Sequence, residues 1–378
     1  MRVAIVGAGI GGLALAHGLS GAGLDVRVYE RDPSPRHRRQ GYRIHISPVG
    51  EEALAAVLPS AVRRRVIETA THPGDLVSGF DRQLRPTFEQ TFPGGGPETV
   101  SAVDRYAFRR ALMTGLDARL EFGRPFESYR ALDDGVELRF ADGTTETADL
   151  LVGADGVGSR IRGQLLPSYE VIDIGIRCVY GKIPLTDELR GLVPPAFLRG
   201  FSFVSDGPGG VGAAFAPVLF RTPPEEYGDY LMAVLTGSPE ALGHSDEQLF
   251  SMRPEQLWET VTAKTADWHP TVRRLIAAAD QSAAFPITLR SSLHIEPWTT
   301  GRVTLLGDAI HPMTPAAGAG ANTALWDAAE LTRALTGSAG LHDALAAYEH
   351  AMIENSQPIV TESLQNARQM FGVTAPSV

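Results

Sequence analysis

Gly7, Gly9 and Gly12 stand in the spacing Gly-x-Gly-x-x-Gly, and Glu30 follows 23 residues after Gly7. Glycines so placed allow a tight turn, a close approach of backbone to a pyrophosphate at the positive end of a helix, and close packing of that helix on a strand. An acid at that distance can accept from a ribose hydroxyl. The chemistry implied is dinucleotide binding, and the spacing alone does not separate NAD from FAD.

Two further constellations share a logic. Residues 149–153 read as an apolar strand ending in Ala154-Asp155-Gly156, which passes into the basic stretch Ser159-Arg160-Ile161-Arg162. Asp155 then sits at a strand's carboxyl end, where α/β folds bind ligands, unless it merely caps a turn. Residues 302–306 are again a short buried strand, followed by Gly307-Asp308-Ala309-Ile310-His311-Pro312-Met313-Thr314-Pro315 and the small residues to Asn322. Pro315 and those small residues would let a flat ligand lie against backbone. Ala321 and Asn322 would present free N–H groups at a helix start, which favours negative charge on that ligand.

The elements that must position these residues are legible in outline. Residues 2–6 form a strand, the glycines open a helix to Leu19, and 25–29 form a second strand, a βαβ opening. A hairpin is expected at 136–140 and 144–147 around Asp142-Gly143. The middle, 172–284, differs: 174–183, 201–204, 211–217 and 230–235 are strand-like, with Gly/Pro-rich turns such as 206–210 between them. This predicts a mainly antiparallel sheet inserted into an α/β domain. A helix is expected from about Asn322 to Leu335, and the pattern is helical from 342 to 371 with a break at Pro358. The basic clusters 36–39 and 63–65 read as solvated faces.

Composition sets outer limits. At 378 residues the chain has room for two or three domains. Its 34 Lys and Arg against 44 Asp and Glu give a net charge of −10, which disfavours nucleic acid or an anionic membrane as partner. No apolar run reaches the length of a membrane span, and five glycines between Gly7 and Gly18 argue against a secretory leader. The single cysteine, Cys178, excludes an internal disulfide and a cysteine-built metal cage, and reads as a small buried apolar residue. A reducing, cytoplasmic setting is expected, and a monomer or homodimer. No metal site is expected, since HExxH and paired-cysteine motifs are absent, as is the GxSxG of a hydrolytic nucleophile.

With all three motifs in order, the sequence resembles the single-component FAD-dependent monooxygenases of the p-hydroxybenzoate hydroxylase type, most closely in layout the tetracycline-inactivating flavin monooxygenases. The resemblance covers essentially the whole chain. It implies a Rossmann-like FAD-binding domain (1–70, 100–170 and 285–341), an inserted substrate domain (71–99 and 171–284) and a C-terminal helix (342–378). It assigns Gly7, Gly9, Gly12, Glu30 and Arg31 to the ADP half of FAD, Asp155 and Gly156 to the pyrophosphate and nicotinamide approach, and Gly307 and Asp308 to the ribitol or pyrophosphate. Pro315, Gly318, Gly320, Ala321 and Asn322 would line the isoalloxazine ring. Arg105 would reach the flavin side chain, although a helix-start cation is its plain alternative. Residues 41–46 match the stretch beside the ring, which makes Arg43 and His45 catalytic candidates with Pro315, or else one solvated strand face.

Substrate choice should be written on the middle sheet. Strand alternation puts Arg177, Val179 and Gly181 on one face and Ile176, Cys178 and Tyr180 on the other, and only one face can line a pocket. Arg177 sits where the tetracycline-inactivating enzymes present an amide, so it is a candidate for a substrate carrying an enol, phenol or carboxylate. Phe201, Phe203 and Phe215 are either aromatic contacts or core.

The resemblance implies a monooxygenase that consumes NADPH or NADH and O2. It would hydroxylate or epoxidise an aromatic or polycyclic, polyketide-like small molecule through a flavin C4a-hydroperoxide. A reductase or dehydrogenase on the same fold is the alternative, and a flavin-bearing or sequestering protein a third. Halogenation is disfavoured, because Trp258, Trp268, Trp298 and Trp326 are scattered and form no WxWxIP motif.

Overall fold

The computed structural model describes residues 1–37, 41–93, 96, 99–207 and 209–372. Arg38 and Arg39 of the basic cluster, and residues 373–378 of the expected C-terminal helix, lie outside the described residues. Arg64 and Arg65 face solvent on the helix Ser60–Thr69, and Arg63 pairs with Glu51 there.

The strand Arg2–Val6 is apolar and β-branched, and it becomes the centre of a five-stranded parallel sheet. Leu150–Gly153 and then Val303–Leu305 lie on one side of it, Asp25–Glu30 and Leu120–Phe122 on the other. Parallel strands need crossovers, and the helix Ile10–Gly21, buried from Gly11 to Leu19, supplies the first. The hairpin forms as Val136–Phe140 and Thr145–Ala148, with Phe126–Ala131 as a third strand.

A second, seven-stranded sheet runs in the order Asp280–Ser292, Val171–Pro184, Tyr230–Gly237, Gly212–Val218, Gly200–Ser205, Leu76–Asp81, Pro86–Thr91. Its pairs are antiparallel except Gly200–Ser205 with Leu76–Asp81. Asp280–Ser292 stays paired through Ser292, so a division at 284/285 would fall within a strand. A two-stranded ladder, Arg43–His45 with Ala102–Asp104, stands between the two sheets.

Both faces of the large sheet are covered. The outer face packs Val179, Ile183, Phe215 and Leu235 under Trp258 and Leu257 of the helix Pro254–Lys264. A Cβ on Gly181 would lie 2.1 Å from the Trp258 ring, so glycine is what lets the indole seat there. The inner face, with Ile176, Cys178, Ala214 and Met232, looks toward the parallel sheet and packs on Val360 and Leu364.

Those last two residues belong to one helix, Leu341–Phe371, which runs unbroken through Pro358. The break expected at Pro358 does not form. Proline removes one helix hydrogen bond at a cost of about 3 kcal/mol, but both flanks are buried. Leu345, Tyr348 and Met352 sit in the core of the parallel sheet, and Val360, Leu364 and Ala367 sit against the large one. Gln357 also bonds both Ile295 N and Leu293 O, while Pro358 itself faces solvent. No helix among the described residues is long and apolar enough to cross a membrane.

Candidate active site

The three motifs emerge at the carboxyl ends of three adjacent parallel strands. Gly7 has φ +112°, and a Cβ there would lie 2.2 Å from Ala154 O; a Cβ on Gly12 would lie 2.1 Å from Gly7 O. These two glycines serve internal packing. Gly9 does not: nothing lies within 4 Å of a Cβ built on it, and its backbone is extended. Gly9 is the N-cap of Ile10–Gly21 and contributes no side-chain cap, so no side chain at that cap satisfies the first-turn N–H groups. A cradle that any side chain would fill, beside free donors at a positive helix end, fits a pyrophosphate.

Glu30 ends its strand beside this turn. One carboxylate oxygen accepts from Ala8 N (3.0 Å) and from Arg109 (3.2 Å), and the other from Asp32 N (3.0 Å). Arg109 Nε also donates to Ala8 O at 2.7 Å. The acid is thus clamped in place, with lone-pair capacity left on the second oxygen for a hydroxyl. Arg109 was not singled out from sequence. Its signal is a charged residue on the buried face of Arg105–Met113, next to Phe108 and Leu112. Arg31 is exposed, with no hydrogen bond or ion pair to a described residue.

Asp155 follows the second strand and packs against Gly7. One oxygen caps Arg160 N at 2.8 Å, and the other is buried without a partner; burial raises its carboxyl above the usual range. Gly156 at φ +79° makes the turn. Arg162, buried, ties this motif to the third by donating to Val157 O (2.8 Å) and Ala309 O (2.7 Å).

In the third motif Gly307 and Gly318 take positive φ. Asp308 is open to solvent, yet the protein around it raises its carboxyl, against the pull of His311, Arg105 and Arg162. It also lies near the start of the helix Gly320–Thr336, since a Cβ on Gly320 would come within 3.8 Å of an Asp308 oxygen. Arg105, half-buried, sits 5.7 Å over the Tyr42 ring. Behind the motif, and unseen from sequence, His311 and Asp327 form a fully buried pair with 2.6 Å between Nε2 and Oδ2. The same Asp327 oxygen accepts from Gly307 N at 2.8 Å, so this pair sets the turn that presents Asp308.

The helix Gly320–Thr336 has no side-chain cap, which leaves the N–H groups of Gly320, Ala321 and Asn322 without helical partners. The Asn322 side chain is used elsewhere. It accepts from Ser47 N (2.9 Å) and donates to His45 O (3.0 Å) and Gly318 O (3.1 Å), which fixes the strand Arg43–His45 beside the helix start. Pro315 is exposed on the same segment, while Met313 and Ala316 pack on the inner face of the large sheet. His45 is exposed, and its imidazole is held down by surrounding protein and by the charge of Arg43. Arg43 is half-buried, its backbone N–H 3.4 Å from Met232 Sδ on that inner face.

Arg177 is the correction at this site. It lies on the outer face with Val179 and Gly181, and its guanidinium is consumed by Asp173 (2.8 and 2.7 Å) and Asp246 (2.6 and 2.8 Å). A bulge with Gly175 at φ +81° shortens the strand and brings Asp173 back onto Arg177. These carboxylates raise the Arg177 pKa further. The inner face instead offers Ile176, Cys178 and Tyr180, and burial pushes the Cys178 thiol up to about 12, so it is no nucleophile at neutral pH. Phe203 and, partly buried, Phe201 belong to this face; Phe215 is outer core, stacked on Phe197. We expect Arg177→Met to lower stability by only about 1 kcal/mol, because both acids are half-exposed and resolvate. Cofactor content and substrate KM should not change, which denaturant melts and steady-state kinetics check.

A family model described as FAD binding domain matches residues 1–175 and 247–363. A 6-hydroxynicotinate 3-monooxygenase of Bordetella bronchiseptica is 33% identical, over 92% of this chain and 85% of its own. A dual O-methyltransferase/FAD-dependent monooxygenase of Cercospora beticola is also 33% identical, over 98% of this chain and 46% of its own, so the chain spans about half the length of the first curated relatives it matches. Among solved structures, a Photorhabdus luminescens protein assigned as an FAD-containing monooxygenase superposes with a TM-score of 0.84 at 31% identity, over 98% of both chains. The tetracycline destructase Tet(51) superposes with a TM-score of 0.67 at 20% identity, over 98% of this chain and 91% of its own, and shares the fold.

Proposed function

Because the chain belongs to the family of FAD-dependent monooxygenases of the p-hydroxybenzoate hydroxylase type, we propose that it binds FAD across the three motifs. In this reading it uses NADPH or NADH and O2 to insert one oxygen atom into an aromatic or polycyclic small molecule. The observation that carries the reading is the convergence of the three motifs at neighbouring strand ends, with Met313 and Ala316 of the third packed on the apolar inner side of the large sheet.

The first turn at Gly9 would hold the pyrophosphate, with Gly7 and Gly12 shaping that turn. Glu30 would hold the adenosine ribose, with Arg31 at its edge. Asp308 on Gly307, with Arg105 and the Asp155–Gly156 turn, would meet the ribitol and phosphates. Pro315, Gly318 and the uncapped start at Gly320, Ala321 and Asn322 would lie along the flavin ring and favour negative charge on it. FAD, when bound, supplies the redox chemistry that no side chain of the site provides. The protein's remaining task is to orient substrate and keep water away. The inner sheet face, with its Tyr42, Tyr180 and Phe285 cluster, and the helix Leu341–Phe371 suit that task.

The substrate part comprises 71–99 and 171–292, and the cofactor part comprises 1–70, 100–170 and 293–341. Relatives named for 6-hydroxynicotinate and for 3-amino-4-hydroxybenzoate support an aromatic substrate. The test is an absorbance spectrum of the purified protein, then NAD(P)H consumption and peroxide release against an aromatic panel under 18-O2. Label in the product and substrate-stimulated, peroxide-free consumption are expected. Bound flavin that turns over without incorporating label would place the protein among reductases instead.

A further inference from the structure

Among the described residues, Arg43 presents a charge without a counter-charge. Its strand partner in register is Asp104, but that carboxylate is already spent. One oxygen accepts from Ala107 N (2.8 Å) and Tyr227 OH (2.5 Å); the other accepts from Tyr230 OH (2.6 Å) and lies 3.8 Å from Lys182 Nζ. Lys182 is in turn seated over the Tyr227 and Tyr230 rings, at 3.9 and 4.4 Å. The Arg43 guanidinium itself makes no hydrogen bond or ion pair with any described residue. Burial pushes its pKa down to about 10, with only Tyr230 pulling the other way.

A guanidinium in such surroundings is costly unless something completes it. The place where it stands is specific. Its backbone touches Met232 on the inner face, and its strand is locked through His45 O and Ser47 N to Asn322 at the start of Gly320–Thr336. It therefore lies between the apolar sheet face and the segment assigned to the flavin ring. The planar five-donor fork of arginine matches a carboxylate or a phenolate.

Resting on the monooxygenase reading above, the geometry points to Arg43 as the residue that recognises an acidic group on the substrate, so that the enzyme takes aromatic anions over their neutral counterparts. The anion would supply the charge that Asp104 does not. Selectivity arises because a neutral ligand leaves the guanidinium unpaired, and that penalty falls on the wrong ligand.

The test uses the FAD-loaded protein, with benzoate as the minimal aromatic anion and benzamide as its neutral isostere. Binding is followed by calorimetry and by perturbation of the flavin absorbance. Wild type should bind benzoate about 10- to 100-fold more tightly than benzamide. Arg43→Met should erase that preference with FAD content unchanged, and Arg43→Lys should keep part of it. Three results would overturn the assignment: a wild type that binds neither ligand or ignores charge, an Arg43→Met protein that keeps the preference, or one that loses FAD, which would mean that Arg43 serves the cofactor. The spectrum before any ligand is added separates the two readings. Flavin present without charge selectivity removes only the role of Arg43, whereas absence of flavin removes the monooxygenase reading together with it.

Discussion

Gly9→Val should fold and melt nearly as wild type does in the apo form, while its affinity for FAD falls by about a hundredfold or more, some 2.7 kcal/mol or greater. The first half follows from space and conformation: no atom lies within 4 Å of the new Cβ, and φ −78° with an extended ψ suits any residue. The second half follows because the same volume is what lets a pyrophosphate reach the N–H groups at the start of Ile10–Gly21. Gly12→Val makes the contrast. Its Cβ would meet Gly7 O at 2.1 Å, and the overpacking should cost about 1–3 kcal/mol of stability with or without cofactor. The checks are the ratio of flavin to protein absorbance, reconstitution with added FAD, and apo-protein melts of both variants. Full flavin occupancy in Gly9→Val would sink the pyrophosphate assignment.

Asp327→Ala should cost the fold about 3–5 kcal/mol, because it strands two buried partners at once, the Gly307 N–H and the His311 ring. Asp327→Asn, which keeps an acceptor for Gly307 but no charge, should fall between. The pH dependence gives a signature that a mere cavity would not. Burial alone would lower the His311 pKa, but the charge and hydrogen bond of Asp327, with Asp308 beyond, outweigh it and raise it above 6.5. A folded pKa above the unfolded one means that the folded state holds the proton longer. The stabilisation is complete below pH 6.5 and is lost as pH rises through the folded value. Wild-type unfolding free energy, measured by denaturant melts across that window, should decline with a slope that Asp327→Asn lacks. Equal slopes would show that the pair carries no charge.

How much of this was legible in the chain depends on range. The fingerprint turn, the strands that lead into Asp155 and Asp308, and the helix start near Asn322 were readable because each is a local pattern. Glycine spacing, β-branched runs and alternation act over a few residues, and the described strands follow them to within a residue or two at 2–6, 136–140 and 230–235. The glycines themselves separated only in three dimensions: Gly7 and Gly12 are small because protein presses on them, and Gly9 because nothing does.

Long-range partners decided the rest. Alternation divided Arg177 from Cys178, but it could not say which face looks inward, since a strand is symmetric until a layer covers one side. The helix Pro254–Lys264 did that, and Asp246, 69 residues from Arg177, took its charge. In the same way Arg109 found Glu30 across 79 residues, and His311 found Asp327 only because a helix turned back behind the loop. Pro358 shows the same hierarchy in energy: the local rule asks for a break, and burial at both flanks outweighs one lost hydrogen bond. The sequence by itself determined the cofactor-binding framework, which rests on contacts within single motifs. Only the tertiary structure decided which cations are neutralised, as Arg177 is, and which, like Arg43, have no ion pair among the described residues, because a buried charge takes its meaning from partners distant in the chain.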